Sequence, residues 1–227
     1  MLRKWEELPD FMRTEAVRPY YDILNKKRKT LFAKRAFDLV MASFLLVLLS
    51  PVMLVIAIAV KLDSKGEIFF RQERVTQYGK IFKIYKFRTM VKNADKLGSQ
   101  VTTKNDARVT RTGRFLRKYR LDETSQLFNV LSGDMSFVGT RPEVPKYVER
   151  YTDEMYATLL LPAGVTSEAS IMYKDEEKLL AEAESADEAY VNQVLPQKMK
   201  FNLANLRYFG LTREMGIILR TCLVIAH

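Results

Sequence analysis

The chain has 227 residues and a net charge of +10, a length that fits one domain with a membrane element or at most two small domains. A single cysteine, Cys222, and a single histidine, His227, exclude an internal disulfide framework and argue against a Cys/His zinc site or a Ser-His-Asp triad. The positive charge indicates anionic partners (phospholipid headgroups, nucleotide phosphates or nucleic acid) or a solvated basic surface.

Residues 1–33 are predicted to form a polar, partly helical and basic N-terminal extension. It ends in the cluster Lys26-Lys27-Arg28-Lys29. Such a cluster is either a solvated tail or a headgroup contact, worth roughly 1 kcal/mol per Lys or Arg near an anionic surface. Because an apolar segment follows, the headgroup contact is favoured.

The membrane element is predicted at residues 34–61. Lys34 and Arg35 lie four and three residues before Asp38, so on a helix they share its face and can pair with it. The pair is either an ordinary surface ion pair or a device that brings Asp38 into the membrane boundary with its charge partly offset.

The apolar run from Leu39 to Val60 has 22 residues, enough for a helix that spans a bilayer. Two observations favour a re-entrant helix, which enters and leaves on one side. Pro51 removes a backbone hydrogen bond near the midpoint, and Ser50 can bond the freed carbonyl. Lys and Arg are also frequent on both flanks, so the charges give no clear orientation. We therefore predict a re-entrant helix broken at Ser50-Pro51, with a kinked span as the alternative.

Residues 62–227 are predicted to form an α+β, mostly helical domain. A β-hairpin is expected from Ile68–Phe70 and Ile81–Tyr85 around the turn-like Tyr78-Gly79-Lys80. Helical patterns cover residues 91–97, 114–119, 121–132, 142–161, 176–184, 193–209 and 213–226, with a loop over 98–106 and a short strand over 169–173. The last helix carries a wide apolar surface that either packs on the core or lies in the membrane interface.

Asp122 and Glu123 are adjacent carboxylates in a basic setting. Carboxylates can bind a divalent cation or attack phosphorus, and guanidinium groups match phosphate oxygens. On an α-helix, adjacent side chains diverge by about 100°, which suits divided roles better than a shared proton. An acidic pair at a helix N-terminus is the ordinary alternative. The basic neighbours that weaken this alternative are Arg114, Arg117, Arg120 and Arg141.

The segments Arg117–Glu123, Gly133–Pro142 and Lys86–Met90, with the Ser-Pro break, resemble monotopic phosphoglycosyl transferases of the bacterial sugar transferase family. The resemblance runs from about Lys34 to about Thr221. It implies transfer of a sugar 1-phosphate from a UDP-sugar to undecaprenyl phosphate, with release of UMP and a covalent phosphoryl-aspartate intermediate. It also implies a re-entrant anchor among anionic lipids on the cytoplasmic face of the bacterial inner membrane. The expected form is the compact one, without the large membrane domain that some relatives carry before this unit.

The resemblance assigns roles to individual residues. Asp122 corresponds to the nucleophile, Glu123 to its partner, and both to ligands of Mg²⁺. Arg117 and Arg141 correspond to substrate phosphate-binding residues. A further basic motif, Lys86-Phe87-Arg88-Thr89-Met90, places Lys86 or Arg88 near the nucleotide phosphates, unless it is only a basic strand end.

Two departures from the family pattern are visible. Thr140 replaces the first proline of a Pro-Arg-Pro element, and Thr124-Ser125 replace a Leu-Pro pair before Gln126. They are compatible with a subgroup that uses a different sugar, and they leave the dyad and both arginines intact. Asn129, Asp134 and Ser136 also match motif positions, for which we expect structural hydrogen bonds.

Three other functions compete with this interpretation. One is a prenyl-phosphate phosphatase, one a membrane-bound nucleic-acid-binding regulator, and one an adaptor without chemistry. No zinc finger, basic zipper or RNP-like motif is visible, so no nucleic-acid partner is expected. The sequence leaves open the sugar, the glycan pathway and whether the chain forms homo-oligomers.

Overall fold

The computed structural model describes residues 2–92, 94, 106–173 and 185–226. The described part is mostly helical, with two small sheets, as the sequence predicts. The α-helices are α1 (Arg18–Lys26), α2 (Arg28–Asp63), α3 (Arg111–Lys118), α4 (Leu127–Ser132), α5 (Pro145–Val148), α6 (Glu168–Met172), α7 (Ala186–Ala189), α8 (Leu195–Arg207) and α9 (Leu211–Ala226). The strands are β1 (Phe69–Val75), β2 (Ile81–Phe87), β3 (Met135–Val138) and β4 (Ala163–Thr166).

Shorter helical turns connect these elements. They are 3₁₀ turns at Trp5–Glu7, Asp10–Met12, Gln77–Gly79, Leu121–Gln126 and Met155–Leu160, and a π-helical turn at Tyr190–Val194. Strands β1 and β2 form the predicted antiparallel hairpin, in which Phe70 pairs with Lys86 and Arg74 with Phe82. Its turn contains Tyr78 with a φ of 60°, a left-handed conformation that is uncommon for a residue other than glycine. The parallel pair of β3 and β4 forms the second sheet.

The N-terminal residues are part of the folded core. Leu8, Met12 and Leu24 are buried in one cluster with Leu160 and Phe209. The side chain of Lys27 donates to the backbone carbonyl of Phe209. Residues 2–24 therefore supply apolar side chains that pack against elements from the second half of the chain.

Helix α2 has 36 residues and runs without interruption through Ser50 and Pro51. The predicted break into two helices is therefore not confirmed. Pro51 cannot donate a hydrogen bond to the carbonyl of Val47, four residues earlier. The Ser50 hydroxyl donates to that carbonyl at 2.8 Å, as the sequence suggested, and so replaces the missing donor.

Both halves of α2 pack against the same body of protein. In the N-terminal half, Ala42 lies in a buried cluster with Ile84 and Val130. In the C-terminal half, Met53, Ile56 and Val60 lie in a second cluster with Phe87 and Leu116. The opposite face is apolar and exposed, with Val40, Phe44, Val47, Val55, Ile58 and Leu62 among its side chains. By length and composition, α2 is apolar enough to cross a membrane.

The group predicted at the membrane boundary is instead buried in protein. Lys34 and Asp38 are 4% and 2% exposed. Lys34 contacts Glu214 of α9 at 2.5 Å rather than pairing with Asp38, and Asp38 accepts a hydrogen bond from the backbone N–H of Phe137. Arg35 donates to two backbone carbonyls at the C-terminal end of α4. Lys34, Arg35 and Asp38 bond to groups on β3, α4 and α9. These contacts replace the predicted local pairing with Asp38.

Two other predictions need correction. The segment predicted as a strand at 169–173 lies largely in α6, because Ser167 caps a short helix by accepting a hydrogen bond from the N–H of Ser170. The predicted helix over 142–161 is divided into α5 and the 3₁₀ turn Met155–Leu160. The predicted helix at 91–97 and loop at 98–106 lie mostly outside the described residues, and the predicted acidic helix at 176–184 lies entirely outside them.

Candidate active site

The acidic dyad lies on the 3₁₀ turn Leu121–Gln126, which packs against β2. Arg120, directly before it, has a φ of 55° and turns the chain sharply at the end of α3. A left-handed conformation at such a residue is a local strain of the kind found near functional sites. Asn129, on helix α4 directly after the turn, joins α4 to β2, since its side chain accepts from the N–H of Tyr85 and donates to the carbonyl of Lys83.

Glu123 lies between two cations from different parts of the chain. One of its oxygens, Oε1, accepts hydrogen bonds from Lys86 Nζ at 2.9 Å and from Arg141 Nη2 at 2.7 Å. Lys86 comes from β2 and Arg141 from the segment that follows β3. The structure thus brings together Lys86, Glu123 and Arg141, which are widely separated in the sequence.

Asp122 is buried beside this ion-pair group but has a different environment. No described residue forms an ion pair with its carboxylate within 4.0 Å. Burial and then the charge of Glu123 raise the pKa of Asp122, while Lys86 and Arg117 oppose that rise. The two carboxylates therefore differ, as adjacent side chains on a helical turn can.

The pKa of Glu123 moves in the opposite direction. Burial alone would raise it, but the charges and hydrogen bonds of Arg141 and Lys86 outweigh burial and hold it well below the usual range. Glu123 is consequently held in its ionised form. Asp122 has no ion-pair partner among the described residues, so its carboxylate is the one that can bind or attack another group.

The remaining predicted residues have different positions. Arg117, on α3, is half-buried and acts electrostatically on Asp122. Arg88 is buried and donates to the backbone carbonyls of Val60 and Ser64, at 3.1 and 2.6 Å, at the end of α2. Lys86, rather than Arg88, is the residue of this motif that contacts the dyad.

The structural roles expected for motif residues are partly confirmed. Asn129 bonds the backbone of β2, and Asp134 accepts hydrogen bonds from Lys80 and Ser132. The hydroxyl of Ser136 and both polar atoms of the Gln126 side chain are buried without a hydrogen-bond partner in the described part of the chain. Gln126 follows Glu123 by three residues, a spacing at which side chains in a 3₁₀ turn lie above one another.

Arg74 belongs to the same site but was missed in the sequence. Its guanidinium donates to Gln72 Oε1 at 2.7 Å and to the carbonyl of Pro142 at 3.0 Å. Burial lowers the pKa of Arg74, with Glu143 opposing and Arg141 adding to the effect. The period-2 alternation of β1 could have indicated it, since Arg74 shares a hairpin face with Lys86.

The basic groups around the dyad outnumber its carboxylates, so the site suits an anionic ligand with several phosphate oxygens. Among the described residues, no group of three or more Asp, Glu, His or Cys side chains could hold a metal ion. A metal at the dyad would need further oxygen ligands from a substrate or from water.

The chain is similar in sequence to several known proteins. Residues 29–227 match the family described as bacterial sugar transferase. Over 194 residues the chain is 35% identical to a UDP-N-acetylgalactosamine-undecaprenyl-phosphate N-acetylgalactosaminephosphotransferase of Aeromonas hydrophila, covering 84% of this chain and 43% of that protein.

Two further relatives act on other sugars, according to their names. One is a UDP-glucose:undecaprenyl-phosphate glucose-1-phosphate transferase of Klebsiella pneumoniae, 46% identical over 61% of this chain and 30% of that protein. The other is an undecaprenyl-phosphate galactose phosphotransferase of Salmonella typhimurium, 40% identical over 62% of this chain and 32% of that protein. The chain spans less than half the length of these three relatives.

Proposed function

The chain belongs to the bacterial sugar transferase family, and from this premise we propose that it transfers a sugar 1-phosphate from a UDP-sugar to undecaprenyl phosphate and releases UMP. The observation that carries the proposal is the group in which Lys86 and Arg141 both bond Glu123 while the neighbouring Asp122 lacks an ion-pair partner among the described residues. The names of the relatives support the donor and the acceptor.

Asp122 is the proposed nucleophile. A carboxylate oxygen of Asp122 forms a bond to the β-phosphorus of the UDP-sugar, and the bond from that phosphorus to the bridging oxygen breaks, so that UMP leaves with the electron pair. An oxygen of undecaprenyl phosphate then attacks the same phosphorus and releases Asp122. The second step yields a sugar linked to the lipid through a diphosphate.

Fixed charges support these steps. Arg141 and Lys86 present positive charge beside Glu123, where the oxygens of the transferring phosphoryl group gain negative charge. Glu123 in turn holds both cations in place. Burial and then the charge of Glu123 raise the pKa of Asp122, which makes that carboxylate more basic than an isolated aspartate.

Mg²⁺ is the proposed cofactor. In phosphate-handling sites this ion is typically bound by one or two carboxylates together with substrate phosphates, and it retains several waters. The Asp122 carboxylate and the second oxygen of Glu123 fit that limited donor set. When bound, the ion would offset negative charge on the diphosphate.

Helix α2 is the proposed membrane anchor, on the cytoplasmic face of the bacterial inner membrane. Its two halves both pack against the domain that contains the dyad. A span would place its two ends on opposite sides of the bilayer, so these contacts support the proposal that both ends lie on one side. The exposed apolar face of α2 then contacts lipid, and a re-entrant path with a bend at Pro51 stays a prediction.

The test is UMP release by purified protein in lipid nanodiscs, with a panel of UDP-sugars and undecaprenyl phosphate. We expect sustained UMP release for at least one donor, and only when the acceptor lipid is present. Asp122→Asn should abolish turnover, whereas the exposed control Asp153→Asn should not change it. Phosphate release from undecaprenyl phosphate alone would favour the phosphatase instead, and Asp122→Asn activity above a few per cent of wild type would exclude the assigned nucleophile.

A further inference from the structure

The segment that carries Arg141 is fixed to both sheets by its backbone. On one side of Arg141, the carbonyl of Thr140 accepts from the N–H of Gly164 at 2.9 Å. On the other side, the carbonyl of Pro142 accepts from Arg74, and that of Glu143 accepts from the N–H of Val75 at 2.9 Å. The position of Arg141 therefore depends on contacts made by its neighbours.

Glu143 is the centre of a buried polar cluster behind this segment. Its carboxylate accepts a hydrogen bond from the hydroxyl of Tyr190, and that hydroxyl also accepts from Lys198 Nζ at 3.1 Å. Lys198 Nζ lies 3.8 Å from Glu143 Oε1. All three residues are buried, with exposed fractions of 7%, 4% and 5% for Glu143, Tyr190 and Lys198.

The partners of Glu143 come from a remote part of the chain. Tyr190 opens the π-helical turn before α8, and Lys198 lies on α8 itself. A π-helical turn is rare and occurs frequently at functional sites. Buried charged groups are costly unless each is paired, so this cluster has a strongly preferred arrangement.

We infer that Glu143, Tyr190 and Lys198 are positioning residues that hold Arg141 in register with Glu123 and hence with the substrate phosphates. Glu143 is separated from Arg141 only by Pro142, whose ring fixes φ and stiffens the connection. Moving the carboxylate of Glu143 would therefore also move the guanidinium of Arg141. Through this cluster, the C-terminal helices help to position the residues proposed to bind the substrate phosphates. None of the three cluster residues forms a described contact with Asp122 or Glu123.

A double-mutant cycle between Glu143 and Arg141 tests this inference, which rests on the proposed function. Glu143→Gln keeps the size of the side chain and an acceptor for Tyr190 but removes the charge opposite Lys198. We expect it to lower kcat/KM for the UDP-sugar on the order of 10- to 100-fold, as a small misplacement of a catalytic group does. In an Arg141→Ala background, the same change should cost less than about twofold, because the residue through which it acts is gone.

Two further variants complete the design. Tyr190→Phe removes one hydroxyl and retains the ring that packs on Tyr147. It should therefore lower kcat/KM in the same way as Glu143→Gln, but by less. Asp187→Asn is the control, because Asp187 bonds Lys146 and Tyr147 and links the same segments through exposed contacts. The control should change kcat/KM by less than about twofold in either background.

The outcomes separate positioning from a merely structural role. Equal losses with and without Arg141, or losses that follow the unfolding temperature across all variants, would overturn the inference. The cycle is repeated on the dissociation constant of UDP. If wild-type protein binds UDP but transfers no sugar phosphate, the proposed function fails, and the cycle on UDP affinity still decides the role of Glu143.

Discussion

The buried pair of Lys34 and Glu214 gives a stability prediction that can be worked out from its contacts. Lys34 Nζ lies 2.5 Å from Glu214 Oε2 and 3.0 Å from the carbonyl of Val138, and the two side chains are only 6% and 3% exposed. Lys34→Met would leave Glu214 and that carbonyl buried without their cationic partner. Breaking a buried ion pair in this way costs about 3–5 kcal/mol.

The pair itself is expected to add little compared with apolar residues of similar size. Burial raises the pKa of Glu214 even though Lys34 opposes the shift, so desolvation outweighs the attraction. The double variant Lys34→Met/Glu214→Leu should therefore recover most of the loss. For a domain of this size, 1 kcal/mol corresponds to roughly 2–4 °C in unfolding temperature, so the single variant should unfold roughly 6–20 °C below wild type.

Thermal unfolding in nanodiscs measures the wild type and both variants, with denaturant titration as a second readout. A single variant within about 1 kcal/mol of wild type would show that the pair is not buried as described. A double variant no more stable than Lys34→Met would show that the unpaired Glu214 is not the cause of the loss.

Three other experiments concern the site and the membrane. Burial and then the charge of Glu123 raise the pKa of Asp122. Because only the ionised nucleophile reacts, activity should be lost as pH falls through that pKa, and Glu123→Gln should move this acid limb of kcat/KM to lower pH. A shift of the limb to higher pH would contradict the assignment. EDTA should stop UMP release and Mg²⁺ should restore it, and full activity after rigorous chelation would exclude the metal. Single cysteines at exposed Lys26 and Lys65, in a Cys222→Ser background, should both resist an impermeant maleimide in intact cells and react after lysis. Labelling at Lys26 alone in intact cells would demonstrate a span.

Local patterns predicted the elements that depend on local interactions. The hairpin, the helix of Arg114 and Arg117 and the end of α4 at Gly133 were all predicted, because alternation, capping and a left-handed glycine act over a few residues. The parallel pairing of β3 with β4 was not predicted. Each of these strands has four residues and gains its partner only through a long connection.

The candidate site shows the same division. Asp122, Glu123 and Arg141 were predicted because motifs mark them, whereas Arg74 and Glu143 form contacts with residues that are distant in the sequence. The helix through Pro51 was predicted to break because a proline removes a donor. The sequence also contained the replacement donor, Ser50, but not the information that the replacement would suffice to continue the helix.

The packing of both halves of α2 has a practical consequence for anyone who wishes to crystallise or engineer this chain in water. Truncation before residue 62 would uncover the faces of Ile84, Phe87, Leu116 and Val130 that α2 now covers, and the product should aggregate. A soluble derivative is better obtained by substituting polar residues on the exposed face of α2, at positions such as Val40, Val47 and Leu62. The face that packs against the domain is left unchanged. Helix α2 and the domain that carries the dyad are in this sense a single folding unit.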